Sequence, residues 1–114
     1  MRTNRIELPP YPSDEDHAPL LVDLALAEVV FARDVADGDL VLGIADLFGR
    51  VEYHNDQYTA RPQPFDPTCQ CGGCNTYDAA EGPFVNLGDD NQWQVCDSMP
   101  AEWLVVIVRA AHLA

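Results

Sequence analysis

The sequence has no lysine. All six basic residues are arginines, set against nineteen acidic residues, for a formal net charge of −13. Without a lysine amine, Schiff-base chemistry is excluded. A surface so poor in cations repels phosphate backbones and anionic lipid, which argues against direct nucleic-acid or membrane binding. No run approaches the roughly 18 apolar residues that a membrane span needs. The sequence also lacks a His-Glu-x2-His, a G-x-S-x-G, a P-loop and a Rossmann fingerprint. Its histidines, His17, His54 and His112, are scattered and make no recognisable acid–base pair. Two arginines near the N-terminus have no apolar stretch behind them, so no secretory signal is expected. The expected setting is a reducing cytoplasm, or a virion if a phage encodes the chain.

What is present is cysteine in an uneven distribution. Three of the four cysteines fall within six residues, Cys69-Gln-Cys71-Gly-Gly-Cys74, and Cys96 follows a strand-like run. Gly72 and Gly73 let the backbone fold back, so that Cys71 and Cys74 can reach one ion with the usual knuckle spacing. Cys69 joins if the chain stays extended after Pro67, and Cys96 completes a tetrahedron. The expectation is one structural zinc per chain, with its binding free energy contributing to folding. His54 is an alternative to Cys96, and His17 a more remote one. Two other readings stand beside this one. Cys71-Gly-Gly-Cys74 has the form of a dithiol redox site, but no helical pattern follows it to lower a thiol pKa. A catalytic zinc would need an open coordination position, which four cysteines would close.

At 114 residues the chain predicts one domain. Residues 1–19 read as an arm, because Leu8-Pro-Pro-Tyr-Pro12 is polyproline-like and Pro19 closes an acidic run. Such a stretch lies over its own domain or serves as a ligand for an aromatic groove. Residues 20–114 read as β-rich, with a Cys-rich loop at 66–82. Leu20, Leu24, Ala27 and Phe31 fit a helical face, while Val22, Leu24 and Leu26 alternate. The segment 20–27 is therefore a short helix or an extended entry, followed by a strand over 28–32.

Further strands are expected over 40–45, 50–54, 57–61, 83–87 and 92–96. A turn at 32–39 uses Gly38 for positive φ, and Asn55-Asp56 reads as a hairpin corner. Residues 97–102 read as a loop around Pro100. Trp103 to Arg109 gives the clearest strand, its unbroken apolar run predicting burial on both faces beside the Trp93–Cys96 strand. Both tryptophans read as core anchors. Short strands with frequent turns predict a mainly β fold, a small barrel or sandwich.

The stretch Val30 to Leu42, with its Ala-x-Asp-Val-x-x-Gly-Asp turn at 32–39, resembles the opening of SH3-like and Hint-like β modules. With the Cys-rich loop after Phe65-Asp-Pro-Thr-Cys69 and the closing apolar strand, residues 29–109 also resemble small uncharacterised proteins of actinobacteria and their phages. That resemblance implies an SH3-like barrel and no particular activity. The Hint splicing residues are absent, so splicing is not implied.

The resulting expectation is a non-enzymatic, acidic interaction or structural module, a phage accessory or virion component, with a protein partner. The alternatives are a thiol redox or metal-handling protein, and an acidic DNA mimic that inhibits a nucleic-acid-binding protein. Acidity alone also arises from a simple need for solubility. It is spread over the chain, −2 over residues 1–19, −5 over 20–61 and −6 over 62–114.

Overall fold

Strand-forming segments rich in valine, isoleucine and leucine assemble here into two antiparallel sheets. The computed structural model describes residues 7–46, 48–65, 82–88 and 97–113. Seven strands occur among them: β1 (Ala27–Phe31), β2 (Leu40–Ala45), β3 (Val51–Thr59), β4 (Gln63–Pro64), β5 (Phe84–Asn86), β6 (Ser98–Pro100) and β7 (Leu104–Val108). One sheet has the order β1-β7-β2-β3 and the other β4-β5-β6. The mainly β expectation holds. Of the barrel or sandwich expected, the described strands form two separate sheets and no closed barrel. No described helix is long and apolar enough to cross a membrane.

β7 is the centre of the larger sheet, as its unbroken apolar run predicts. All five of its residues are buried. Its flanks differ from expectation. β1 pairs along one edge and β2 along the other, so no edge remains for a strand at 93–96. Residues 93–96 themselves lie outside the described residues.

Each face of this sheet buries a different layer. Val30, Val41, Val105 and Ile107 meet Leu87, Met99 and Val85 of the smaller sheet in one cluster. On the opposite face, Val29, Leu42, Tyr53, Val106 and Val108 pack with Leu8, Tyr11, Leu20, Val22 and Leu24 from the N-terminal segment. Prolines keep that segment extended, and it is tied down by hydrogen bonds from Tyr53 Oη to the Pro9 carbonyl and from Tyr11 Oη to the Ala18 carbonyl. The helix considered for 20–27 reduces to one 3-10 turn, Leu24–Leu26, capped by the Asp23 carboxylate.

The expected hairpin corner at Asn55-Asp56 is instead a bulge inside one nine-residue strand. Val41 pairs with Tyr58 and Gly43 pairs with Tyr53, so residues 54–57 of β3 face Leu42 alone on β2. The bulge turns toward the N-terminal segment, where the Ala18 backbone amide donates to the Asn55 carbonyl and the Gln57 side-chain Nε2 to the Pro19 carbonyl. Gly43 is what lets β3 approach here. A Cβ on it would strike the Glu52 carbonyl oxygen and lie 2.7 Å from the Tyr53 Cα. Position 97–102 also departs from expectation. Ser98–Pro100 forms β6 against β5, since Pro100 sits at the strand end where a missing N–H is tolerated.

The turn between β1 and β2 forms as expected, with Gly38 at φ +91°. Its anchor is the buried Asp39. One carboxylate oxygen accepts from the Ala110 amide at 3.0 Å, and the other accepts from the Ala36 amide at 2.8 Å and from Arg109 Nη1 at 2.9 Å. Every donor around this carboxylate comes from the turn or from the chain leaving β7. The contact therefore locks the turn to the central strand.

Candidate functional site

Register places one row of residues across the end of the larger sheet. Phe31 pairs with Leu104, Leu104 with Ala45, and Ala45 with Val51. Beside this row lie Pro100 at the end of β6, Glu102 and Trp103 in the turn after it, and Asp46 and Arg50 in the β2–β3 connection. Together with Ile44 and Glu52 they enclose an open groove of about 1050 Å³. That is at the upper end of the roughly 300–1,000 Å³ range of small-molecule sites.

Trp103 is not the core anchor expected from its place beside a strand. It is 44% exposed. Its backbone is held at both ends, the amide donating to the Pro100 carbonyl and the carbonyl accepting from the Ala32 amide. A fixed backbone thus presents a large aromatic surface at the groove. Phe48, on the β2–β3 connection, is 88% exposed. Asp46 orders that connection: one carboxylate oxygen accepts from the Phe48 and Arg50 amides, at 2.8 and 3.0 Å. The Arg50 amide is the main reason its carboxyl lies below the usual carboxylate range.

The groove is apolar along its floor and mainly acidic at its rim. Asp46, Glu52 and Glu102 face a single lining cation, Arg50. Arg33, just outside, places its guanidinium 4.4 Å from the Phe31 ring centroid and 4.0 Å from a Glu102 carboxylate oxygen. Sequence reasoning missed this site, because pairing between strands far apart in the chain creates it. The available local signal was Phe48 in a turn beside Gly49, where a core residue is out of place.

The expected metal ligands Cys69, Cys71, Cys74 and Cys96 all lie outside the described residues, as do Asp66, Asp78, Asp89, Asp90 and Trp93. Among the described residues, no three potential ligands converge. The flanks of both cysteine segments are described, and they share the smaller sheet. Pro64, before the first cysteine, pairs with Val85, and Phe65 packs on Phe84 with ring centroids 5.1 Å apart. At the other end of β5, the Asp97 amide donates to the Gly88 carbonyl and its carbonyl accepts from the Leu87 amide.

Asp97 itself is unusual. Burial pushes its carboxyl up to about 6. Among the described residues, its Oδ2 and the Tyr58 hydroxyl are buried side-chain oxygens without a hydrogen-bond partner.

Of the alternative ligands, His17 bonds the Asp14 carboxylate through Nδ1 at 2.7 Å. His54 stacks on Tyr58, with ring centroids 6.0 Å apart and an interplanar angle of 11°. Burial holds the His54 pKa below 6.5, opposed by the Glu52 charge. The unfolded chain therefore takes up a proton at this residue before the folded one does. Its contribution to stability is full above pH ~6.5 and declines as pH falls through the folded pKa. Between pH 7.5 and pH 5 the urea midpoint of wild type should accordingly fall relative to that of His54→Phe. Parallel midpoints would show that this ring is not held neutral by burial.

No protein-family model, curated protein or solved structure matches the chain.

Proposed function

We propose that this chain is a non-enzymatic, acidic protein-contact module that works through the groove at Trp103. One structural zinc is held by Cys69, Cys71, Cys74 and Cys96. The observation that carries the contact reading is apolar surface where folding does not need it. Trp103 and Phe48 are both exposed, and the connections bearing them flank one end of the larger sheet. Exposed apolar patches rimmed by polar groups mark interaction sites. The strong negative charge favours a partner with a basic or mixed surface. A phage accessory or virion role, and kinship with SH3-like modules, rest on the resemblance of residues 29–109 and belong to this same proposal.

The zinc reading is supported by the cysteine spacing and by the shared sheet that holds both flanks. A buried carboxylate oxygen without a partner, directly after Cys96, also calls for a proton or a cation. Elemental analysis should find one zinc per chain, and chelation should lower the melting temperature. Cys71→Ser and Cys74→Ser should reproduce the effect of chelation. Metal-free protein with four freely titrating thiols and an unchanged melting temperature would remove zinc from the proposal.

Affinity capture from the native host tests the contact reading. A partner retained at low salt should be released at high salt, and Trp103→Ala with Phe48→Ser should fail to hold it. Retention that ignores both salt and these substitutions would place the working surface elsewhere.

A further inference from the structure

The geometry points to a specific occupant: we infer that the groove takes an extended peptide segment with one apolar anchor flanked by arginines. This rests on the contact-module reading and adds the chemistry of the bound segment. Three observations carry it.

The first is shape. The groove is open and runs across the end of four paired strands, a shape that suits an extended segment. Its apolar lining, which includes Phe31, Ile44, Val51 and Leu104, suits an aliphatic or aromatic side chain, and burying one provides the anchor.

The second is charge. Asp46, Glu52 and Glu102 outnumber Arg50 along the lining, within a chain of net charge −13. Asp46 is held ionised by backbone amides. An acidic segment would meet repulsion here, and a neutral one would leave Glu52 uncompensated, since Asp46 and Glu102 already meet Arg50 and Arg33.

The third is a precedent within the molecule. Arg33 lies over the Phe31 ring and reaches toward Glu102, so this wall already holds one guanidinium between an aromatic face and a carboxylate. Trp103, the best aromatic type for such stacking, offers exposed surface beside Glu102. Arginine suits such a place better than lysine, because its planar group stacks and forks toward a carboxylate.

The test is selection from a random nine-residue peptide library displayed on phage, against the full chain. Synthetic forms of the selected peptides are then titrated by fluorescence anisotropy. The expected consensus has a central leucine, phenylalanine or tryptophan with arginine on one or both sides. Trp103→Ser should weaken these peptides at least tenfold. Glu52→Arg, at an exposed position that leaves the fold intact, should weaken them by a similar factor, as should replacing the peptide arginines by glutamate. A consensus without basic residues, or peptides bound equally by wild type and both variants, overturns the inference. Failure to enrich any peptide also overturns it. A host partner captured in a Trp103-dependent way would then leave the contact-module reading standing, and the absence of any such partner would remove both.

Discussion

Asp39→Ala should destabilise the protein by at least roughly 1–3 kcal/mol, the cost of leaving a buried hydrogen-bonding group without its partner. The carboxylate is 2% exposed and accepts three hydrogen bonds. Its loss strands two backbone amides, from Ala36 and Ala110, and deprives Arg109 of its closest anion. Arg109 would keep the Asp34 carbonyl at 3.0 Å and the more distant Glu28 carboxylate at 3.6 Å. Asp39→Asn should also destabilise, because an amide nitrogen would oppose one of the surrounding donors. Small domains are stable by about 5–15 kcal/mol, so either change consumes a sizeable share. Arg33→Ala supplies the contrast. Its pair with Glu102 is exposed and 4.0 Å long, worth about 0–1 kcal/mol. Urea denaturation separates the two cases. An unchanged midpoint for Asp39→Ala would show that the turn is not locked through this carboxylate.

Ile107→Ala should cost about 2–5 kcal/mol. Ile107 is fully buried in the cluster shared by the two sheets, on β7, which is paired along both edges by β1 and β2. Neighbours anchored on both sides cannot easily collapse into the space left by the deleted atoms, which places the cost within the cavity-forming range. Val106→Ala probes the opposite face, where the cover is the N-terminal segment. A measurable loss there is expected as well, because Val106 is equally buried beneath Leu8, Tyr11 and Leu20. A loss for Ile107 with none for Val106 would mean that the arm contributes little to the core. Thermal and urea unfolding of the two variants, read together, decide this.

Much of the β architecture was legible because it depends on local chemistry. Leu104–Val108 is a strand because five consecutive branched apolar residues suit a pleat buried on both faces. The turn before β2 forms where Gly38 permits positive φ. Those features are encoded within a few residues of where they act. The bulge of β3 was not legible in the same way. His54 to Gln57 look like a polar corner, and only pairing with β2 and contact with Ala18 and Pro19 keep them within a strand. Short β6 was hidden by Pro100, since the pairing that admits it comes from β5.

By itself, then, the sequence determined that the fold is mainly β, that 104–108 is its apolar centre, and that the surface is strongly acidic. It also marked four cysteines as the candidate metal ligands, on positions outside the described residues. Tertiary structure alone decided which strands flank β7, that two sheets form without closing into a barrel among the described residues, and that the N-terminal segment covers the second face. It also decided that Trp103 stands at a groove instead of in the core. The physical reason is the range of the interactions. Hydrophobicity, turn propensity and charge belong to single residues and short windows. Strand order, register and the exposure of one aromatic ring depend on contacts between segments far apart in the chain, which no short window contains.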